Sequence, residues 1–205
     1  MIIGIDFSVN STGVCIYYNG IYKFGVFYKN ISKKILDKCS LFYMCKSNYV
    51  EMDNSDNLTI KERKETQNSI ILASNIRDWI AYEIEKLQYT GKIEIIFEGF
   101  SFGSTGSMIT KIAGYQFITR HQLLCFIPLD NMYFLSPGTI KKWVGKGNMK
   151  KEQIIEAVSI SNNREIFWLV ECLDNFKKSN NTWEKPIDDV IDSYCIVQTH
   201  LNKTP

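Results

Sequence analysis

Histidine and proline are scarce in this 205-residue chain, with two and four respectively, and its six cysteines form no C-x-x-C pair. His121 and His200 lie far apart and neither joins a cysteine cluster, which argues against a zinc site. Most of the cysteines (15, 39, 45, 125, 172 and 195) fall within apolar runs, the pattern of reduced, buried thiols rather than of a disulfide framework. No stretch reaches the ~18 uninterrupted apolar residues of a membrane span. No G-x-x-x-x-G-K-[ST] occurs, so there is no P-loop and no reason to expect a nucleotide cofactor. The first residues enter an apolar run directly, with neither a basic n-region nor a cleavage site, and the expected location is the cytoplasm. An excess of one charge is also missing, with 24 Lys and Arg against 22 Asp and Glu. Any polyanionic partner must therefore be sought in local charge.

What is present is a soluble composition, 45% apolar and 22% charged, long enough for one domain with a substantial core. Five strand-like runs, at 1–7, 12–18, 21–28, 93–97 and 132–135, predict a central mixed five-stranded sheet flanked by helices in an α/β fold. Asn19-Gly20 between two of these runs signals a tight hairpin. Residues 30–46 are ambiguous, and 47–58 read as a surface loop. Ile70, Ala73, Ile76, Trp79, Ile80, Ile84 and Leu87 recur at helical spacing and predict one long helix over 59–87. Further helices are expected at 108–124, 139–144 and 150–159. An apolar piece at 166–176 suits an inserted helix within a probable insertion at 161–184. The final helix buries Ile187, Val190, Ile191, Tyr194 and Leu201.

Three features stand out against this pattern. Asp6 ends the apolar run Ile2-Ile3-Gly4-Ile5, and a carboxylate there is costly unless it meets a metal or another charge. The alternative is an Asp that only accepts hydrogen bonds from the following turn. Glu98 ends a second apolar run in the same way and opens the loop Gly99 to Ser107, which either offers backbone amides to a phosphate or simply caps a helix. If these strands are parallel neighbours, Asp6 and Glu98 stand side by side. The third feature is Asp188-Asp189-Val190-Ile191-Asp192 on the last helix. Asp189 and Asp192 share a face at three apart, Asp188 and Asp192 pair at four apart, and Asp188 also suits a helix cap. Residues 141–151 add five lysines and no acid, either a solvated loop or a contact for a phosphate backbone.

The blocks I-G-I-D-x-S-x-x-S-T-G, I-I-F-E-G-F-S-F-G, S-P-x-x-I-K-K-W-V-G-K-G-N-x-x-K and D-D-V-I-D-S, in that order, resemble the RuvC family of Holliday junction resolvases. The loop after Glu98 is most similar to the phage-encoded branch, and K-x-x-D-D-x-x-D-S is similar to the related poxvirus resolvases. The resemblance implies one RNase H-like nuclease domain over residues 1–205, acting in the cytoplasm of a host cell if phage- or virus-encoded. It assigns metal-ligand roles to Asp6, Glu98, Asp189 and Asp192, with Asp188 sharing or replacing the role of Asp189. Lys151 matches the family lysine near the scissile phosphate. Either Phe100 or Phe102 matches the aromatic that probes the junction centre, and Ser104, Lys141, Lys142, Lys146 and Lys150 fall where DNA contacts are expected. The region before Glu98 is longer than in the family, which leaves the dimer interface and the DNA path open. The implied activity is structure-selective nicking of branched DNA, the four-way junction above all, by a homodimer that cuts opposed strands in pairs.

The chemistry agrees with this implication. Converging carboxylates repel one another unless divalent cations neutralise them, and hard oxygen donors suit Mg²⁺ or Mn²⁺, here expected as two ions per active site. A ribonuclease or exonuclease on the same fold would keep the acids and change the substrate. An actin-like ATPase also begins I-G-I-D-F, but needs a second phosphate loop and a second domain that this length does not hold.

Overall fold

The computed structural model describes residues 1–100, 106–160, 164–178 and 182–202. The chain opens with a three-stranded meander, β1 (Ile2–Asp6), β2 (Ser11–Tyr18) and β3 (Ile21–Tyr28). Asn19 and Gly20, at φ of 48° and 80°, make the turn that pairs Tyr18 with Ile21. Both residues adopt the left-handed backbone that a two-residue hairpin demands, as the Asn-Gly signal predicts. A four-residue helix, α1 (Lys33–Leu36), leads to a short strand, β4 (Tyr43–Lys46), parallel to β3. Next come α2 (Leu58–Lys86), β5 (Glu94–Glu98), α3 (Ser107–Leu123), β6 (Met132–Leu135), α4 (Pro137–Val144), α5 (Lys151–Ser159), α6 (Phe167–Leu173) and α7 (Ile187–Leu201).

The strands form one mixed sheet in the order β4-β3-β2-β1-β5-β6, six strands rather than the expected five. The extra strand is the four residues Tyr-Met-Cys-Lys on the outer edge, where one-sided pairing supports an exposed, non-alternating segment that carries no periodic signal. Long α2 and α3 pack on one face of the sheet over Ile3, Ile5, Phe27, Ile95 and Phe97. On the opposite face α7 lies across β1 and β2, with α4, α5 and α6 outside it. In α2 the expected stripe is buried at Ala73, Ile76, Trp79 and Ile80 and is joined by Leu72, whereas Ile70 is 46% exposed and the neighbouring Asn68 and Ser69 are buried, bonded to the preceding loop and helix turn.

Two strand glycines set how closely α7 can approach. A Cβ at Gly4 would meet the Ser193 carbonyl oxygen at 2.6 Å, and one at Gly13 would meet the Asp189 carbonyl oxygen at 2.1 Å. Backbone therefore rests almost on backbone, the usual reason for glycine inside a strand. This contact carries the first turns of α7, and with them its acids, against the sheet beside Asp6.

Candidate active site

β1 and β5 run parallel with Ile5 opposite Phe97, so the next residues, Asp6 and Glu98, leave the sheet together at its carboxyl edge. Open α/β sheets place their ligands at this edge. α7 contributes Asp192 from the side, and Lys151, the first residue of α5, reaches in from above. Its ammonium stands 2.8 Å from Asp192 Oδ2 and 3.3 Å from Asp188 Oδ2. Asp6, Glu98, Asp192, Lys151 and Lys141 line a cleft of about 190 Å³, floored by Ile140, Ile154, Cys195 and Ile196.

The electrostatics follow from crowding acids in a dry place. Burial pushes the Asp6 carboxyl well above its ordinary range, and Asp192, Asp189 and Glu98 push it further. Glu98 is raised by burial and then by Asp192, and Asp192 is raised by its own burial. Asp189 is pushed up to about 6 by burial and the charge of Asp188. Lys151 moves the other way: burial disfavours its charge, yet Asp192 and Asp188 outweigh that and hold it firmly protonated.

The structure separates acids that the sequence grouped. Asp188 is not a helix cap, since the capping position of α7 is Pro186 and no side-chain cap bond forms there. Asp188 Oδ1 is buried without a partner. Asp189 is turned the other way, toward β2, where Ser11 Oγ donates to its Oδ2 at 2.5 Å and Lys185 Nζ to its Oδ1 at 3.2 Å. Ser11 and Lys185 fall within the quoted motifs, but neither is assigned a role from the sequence. Lys185 precedes the helix that carries both acids, so helical spacing gave no signal for its contacts with Asp188 and Asp189.

Of the expected DNA contacts, Lys141 enters the cleft, whereas Lys142, Lys146 and Lys150 are exposed around it. Phe100 sits just past β5 with its ring 5.9 Å from the Arg120 guanidinium, which also lies over Phe97, Phe117 and Phe134. Phe102 and Ser104 lie outside the described residues. Gln116, another residue missed in the sequence, accepts from Arg120 and donates to the Glu98 carbonyl at 3.3 Å, tying α3 to the end of β5. All six cysteines are free, and His200 pairs with Glu94 at the opposite edge of the sheet.

Two parallel strands ending in acids, an antiparallel meander before them and a closing helix that brings a third acid decide the comparison with known folds. The chain has the RNase H-like fold of RuvC. A Thermus thermophilus RuvC in complex with a Holliday junction substrate superposes with a TM-score of 0.50 at 8% identity, over 99% of this chain and 95% of that one. A second Thermus thermophilus RuvC structure gives 0.48 at 14% identity, with 98% and 92% of the two chains covered. The yeast mitochondrial Holliday junction resolvase Ydc2 gives 0.43 at 15% identity, with 97% and 76% covered. No protein-family model matches the chain, and no curated protein matches it by sequence. Among the described residues no helix is long and apolar enough to cross a membrane.

The fit of this site to divalent cations rests on its donors. All are carboxylate oxygens, the set preferred by Mg²⁺ and Mn²⁺, and the unpartnered Asp188 Oδ1 and the raised Asp6, Glu98 and Asp192 carboxyls are those of a site short of positive charge. Among the described residues no three His, Cys, Asp or Glu side chains close on one point as a ready metal site. The Lys151 ammonium stands among the acids, Lys141 lines the same cleft, and Lys185 pairs with Asp188 and Asp189.

Proposed function

We propose that this chain is a divalent-metal-dependent endonuclease that nicks branched DNA, the four-way junction in particular. The observation that carries the reading is the meeting of Asp6, Glu98 and Asp192 beside Lys151 at the carboxyl edge of a RuvC-type sheet. Asp6, Glu98 and Asp192 would hold the ions, with Asp188 and Asp189 as the candidates to complete the set. Divalent ions held there would supply an activated water and relief of charge on the leaving 3′ oxygen of a phosphodiester. The protein's own part is then positional. Its strand ends fix two acids, α7 presses a third against them, and Lys151 is placed to balance the charge that develops on the scissile phosphate.

The substrate class is supported by the structural neighbour solved in complex with a Holliday junction substrate. It is supported as well by the lysines around the cleft, Lys141, Lys142, Lys146 and Lys150, which offer charge to a phosphate backbone. Phe100, held under Arg120 beside Glu98, is the aromatic placed to probe an unstacked base. A junction has two equivalent strands to cut, and a homodimer presents two equivalent sites. The exposed rings of Phe117 and Phe134 on either side of Arg120 offer an apolar face to the second copy.

The test is incubation of the protein with labelled four-way junction, plain duplex and RNA–DNA hybrid in Mg²⁺, Mn²⁺ and EDTA. Paired nicks in the junction alone, lost in EDTA and in Asp6→Asn, are expected. Preferential cutting of the hybrid would transfer the same acids to a ribonuclease, and cutting that persists in EDTA would remove the metal from the reading.

A further inference from the structure

We propose that Asp188 is the positioning residue of Lys151, the carboxylate that keeps this ammonium at the cleft when Asp192 is committed to a metal ion. The inference rests on the metal-dependent nuclease reading and deepens it, giving the extra acid of α7 a task of its own.

The two acids left as candidates for the set are placed differently. The charge of Asp189 acts on Asp6, beside those of Asp192 and Glu98. Asp189 thus stays with the acids that crowd the strand end. Asp188 acts on Lys151 and Lys185 and on its own helix neighbours Asp189 and Asp192. It is not among the residues that line the cleft, whereas Lys151 and Asp192 are. What it touches at the cleft is the lysine, with its Oδ2 3.3 Å from Lys151 Nζ. Lys185 is the weaker claimant, at 3.6 Å from Asp188 and 3.2 Å from Asp189.

Asp188 and Asp192 are four residues apart on one helix face, so a single ammonium can bridge them. Lys151 does so, at 3.3 Å and 2.8 Å. When Asp192 is committed to a metal ion, Lys151 loses its nearer partner and meets added positive charge. With no other acid to hold it, this half-exposed side chain, 52% accessible, would turn out into solvent. Asp188 prevents that, because a carboxylate outside the cleft keeps its hold on the lysine while the cleft is filled. Its Oδ1 is buried and without a partner among the described residues, and so is the acceptor left for the proton that Asp192 gives up. Its place in the first turn of α7 favours the charged form that this requires. A lysine fixed in advance loses less freedom in meeting the scissile phosphate, and it is already in place when charge develops there.

The Lys151 ammonium can be read directly in nitrogen-15 spectra of the lysine side chains, where hydrogen bonding slows proton exchange enough for a signal, identified by its loss in Lys151→Arg. Mn²⁺ titration establishes metal binding, and the spectra are recorded without metal and in saturating, diamagnetic Mg²⁺. The wild type should keep the Lys151 signal in Mg²⁺. Asp188→Asn should show it without metal, where Asp192 still holds the lysine, and lose it in Mg²⁺, with Mn²⁺ binding weakened less than about tenfold. Asp188→Glu, which retains the charge, should retain the signal. In single-turnover cleavage Asp188→Asn should cost about a hundredfold in rate, as expected of a misplaced reacting group, and should cost nothing further in a Lys151→Gln background. A Lys151 signal that Mg²⁺ removes from the wild type overturns the proposal without any variant, so it stays falsifiable if Asp188→Asn does not fold. A signal kept by Mg²⁺-loaded Asp188→Asn overturns it too, as does a loss of Mn²⁺ affinity of about tenfold or more, which would make Asp188 part of the metal site itself. Wild-type protein that takes up neither Mn²⁺ nor Mg²⁺ overturns the nuclease reading along with the inference. That outcome is distinct from a wild type that binds metal and releases its lysine.

Discussion

Replacing Gly13 with alanine is the sharpest structural perturbation available, because it adds one methyl group and replaces no acid. The new Cβ would lie 2.1 Å from the Asp189 carbonyl oxygen and 2.6 Å from its carbonyl carbon, against an ordinary contact that begins at 3.4 Å. α7 must therefore retreat from β2 by about 1.3 Å, or β2 must buckle by as much. Both partners are backbone, so no side chain can turn aside. Overpacking of this kind costs about 1–3 kcal/mol, and a clash with rigid backbone belongs at the upper end. For a domain of this size, about 3 kcal/mol lowers Tm by about 6–12 °C. The same displacement carries the α7 acids away from Asp6 and Glu98, and a 1 Å misplacement of reacting groups costs about a hundredfold in rate. Thermal unfolding followed by circular dichroism, with single-turnover junction cleavage at a temperature where the variant is folded, measures both effects. Gly4→Ala, whose Cβ would meet the Ser193 carbonyl oxygen at 2.6 Å, should do the same to a smaller extent. Gly114→Ala in the middle of α3, where nothing lies within 4 Å, should instead raise stability by about 0.5–1 kcal/mol. A Gly13→Ala protein with wild-type Tm would refute the close seating of α7 on the sheet, whatever its activity.

Three further outcomes are expected. Asp6→Asn, Glu98→Gln and Asp192→Asn should each abolish cleavage while junction binding in a gel-shift assay is kept, since the lysines that attract DNA are untouched. Asp189 should leave a pH signature in the metal-free protein: its carboxyl is raised from 3.8 to about 6, so the folded state holds that proton more tightly and its contribution to stability falls as pH rises through this window. The Tm of Asp189→Asn should accordingly improve relative to wild type between about pH 4 and 6, and a constant difference would contradict the raised carboxyl. Lys141→Ala/Lys142→Ala should weaken junction binding and flatten its salt dependence by roughly 0.9 per lost contact. An unchanged slope would place the DNA elsewhere.

The two strand-end acids were legible because each breaks an apolar run, and two such breaks on neighbouring parallel strands coincide in space. The Asn-Gly hairpin and the long α2 were legible for the same reason, a strong local pattern. β4 was not, since four residues of mixed exposure have no period, and their pairing with β3 is decided by what lies beside them. The division of labour on α7 was also hidden. Helical spacing allows Asp192 to pair with either neighbour, and it takes the Ser11 bond to Asp189 and the contact of Gly13 with the Asp189 backbone to show which acid faces β2. Gly4 and Gly13 carried that information, as glycines inside strands, but a glycine does not name the element that leans on it. Ser11 and Arg120 gain their roles entirely from tertiary packing.

The order in which the site's parts occur along the chain bears on synthesis at the ribosome. Asp6 precedes the other acids in the chain, and the meander of β1, β2 and β3 can pair early, from contacts that are near in sequence. β5 then inserts beside β1, but the helix that brings Asp192 is the last element to emerge, although it ends up lying across the first two strands. A nascent chain therefore carries a half-formed sheet with one face uncovered and an incomplete set of acids until α7 has cleared the exit tunnel. The acid cluster cannot assemble on a partial product, so a chain stalled before residue 187 lacks Asp192 and the helix that seats it against Asp6 and Glu98.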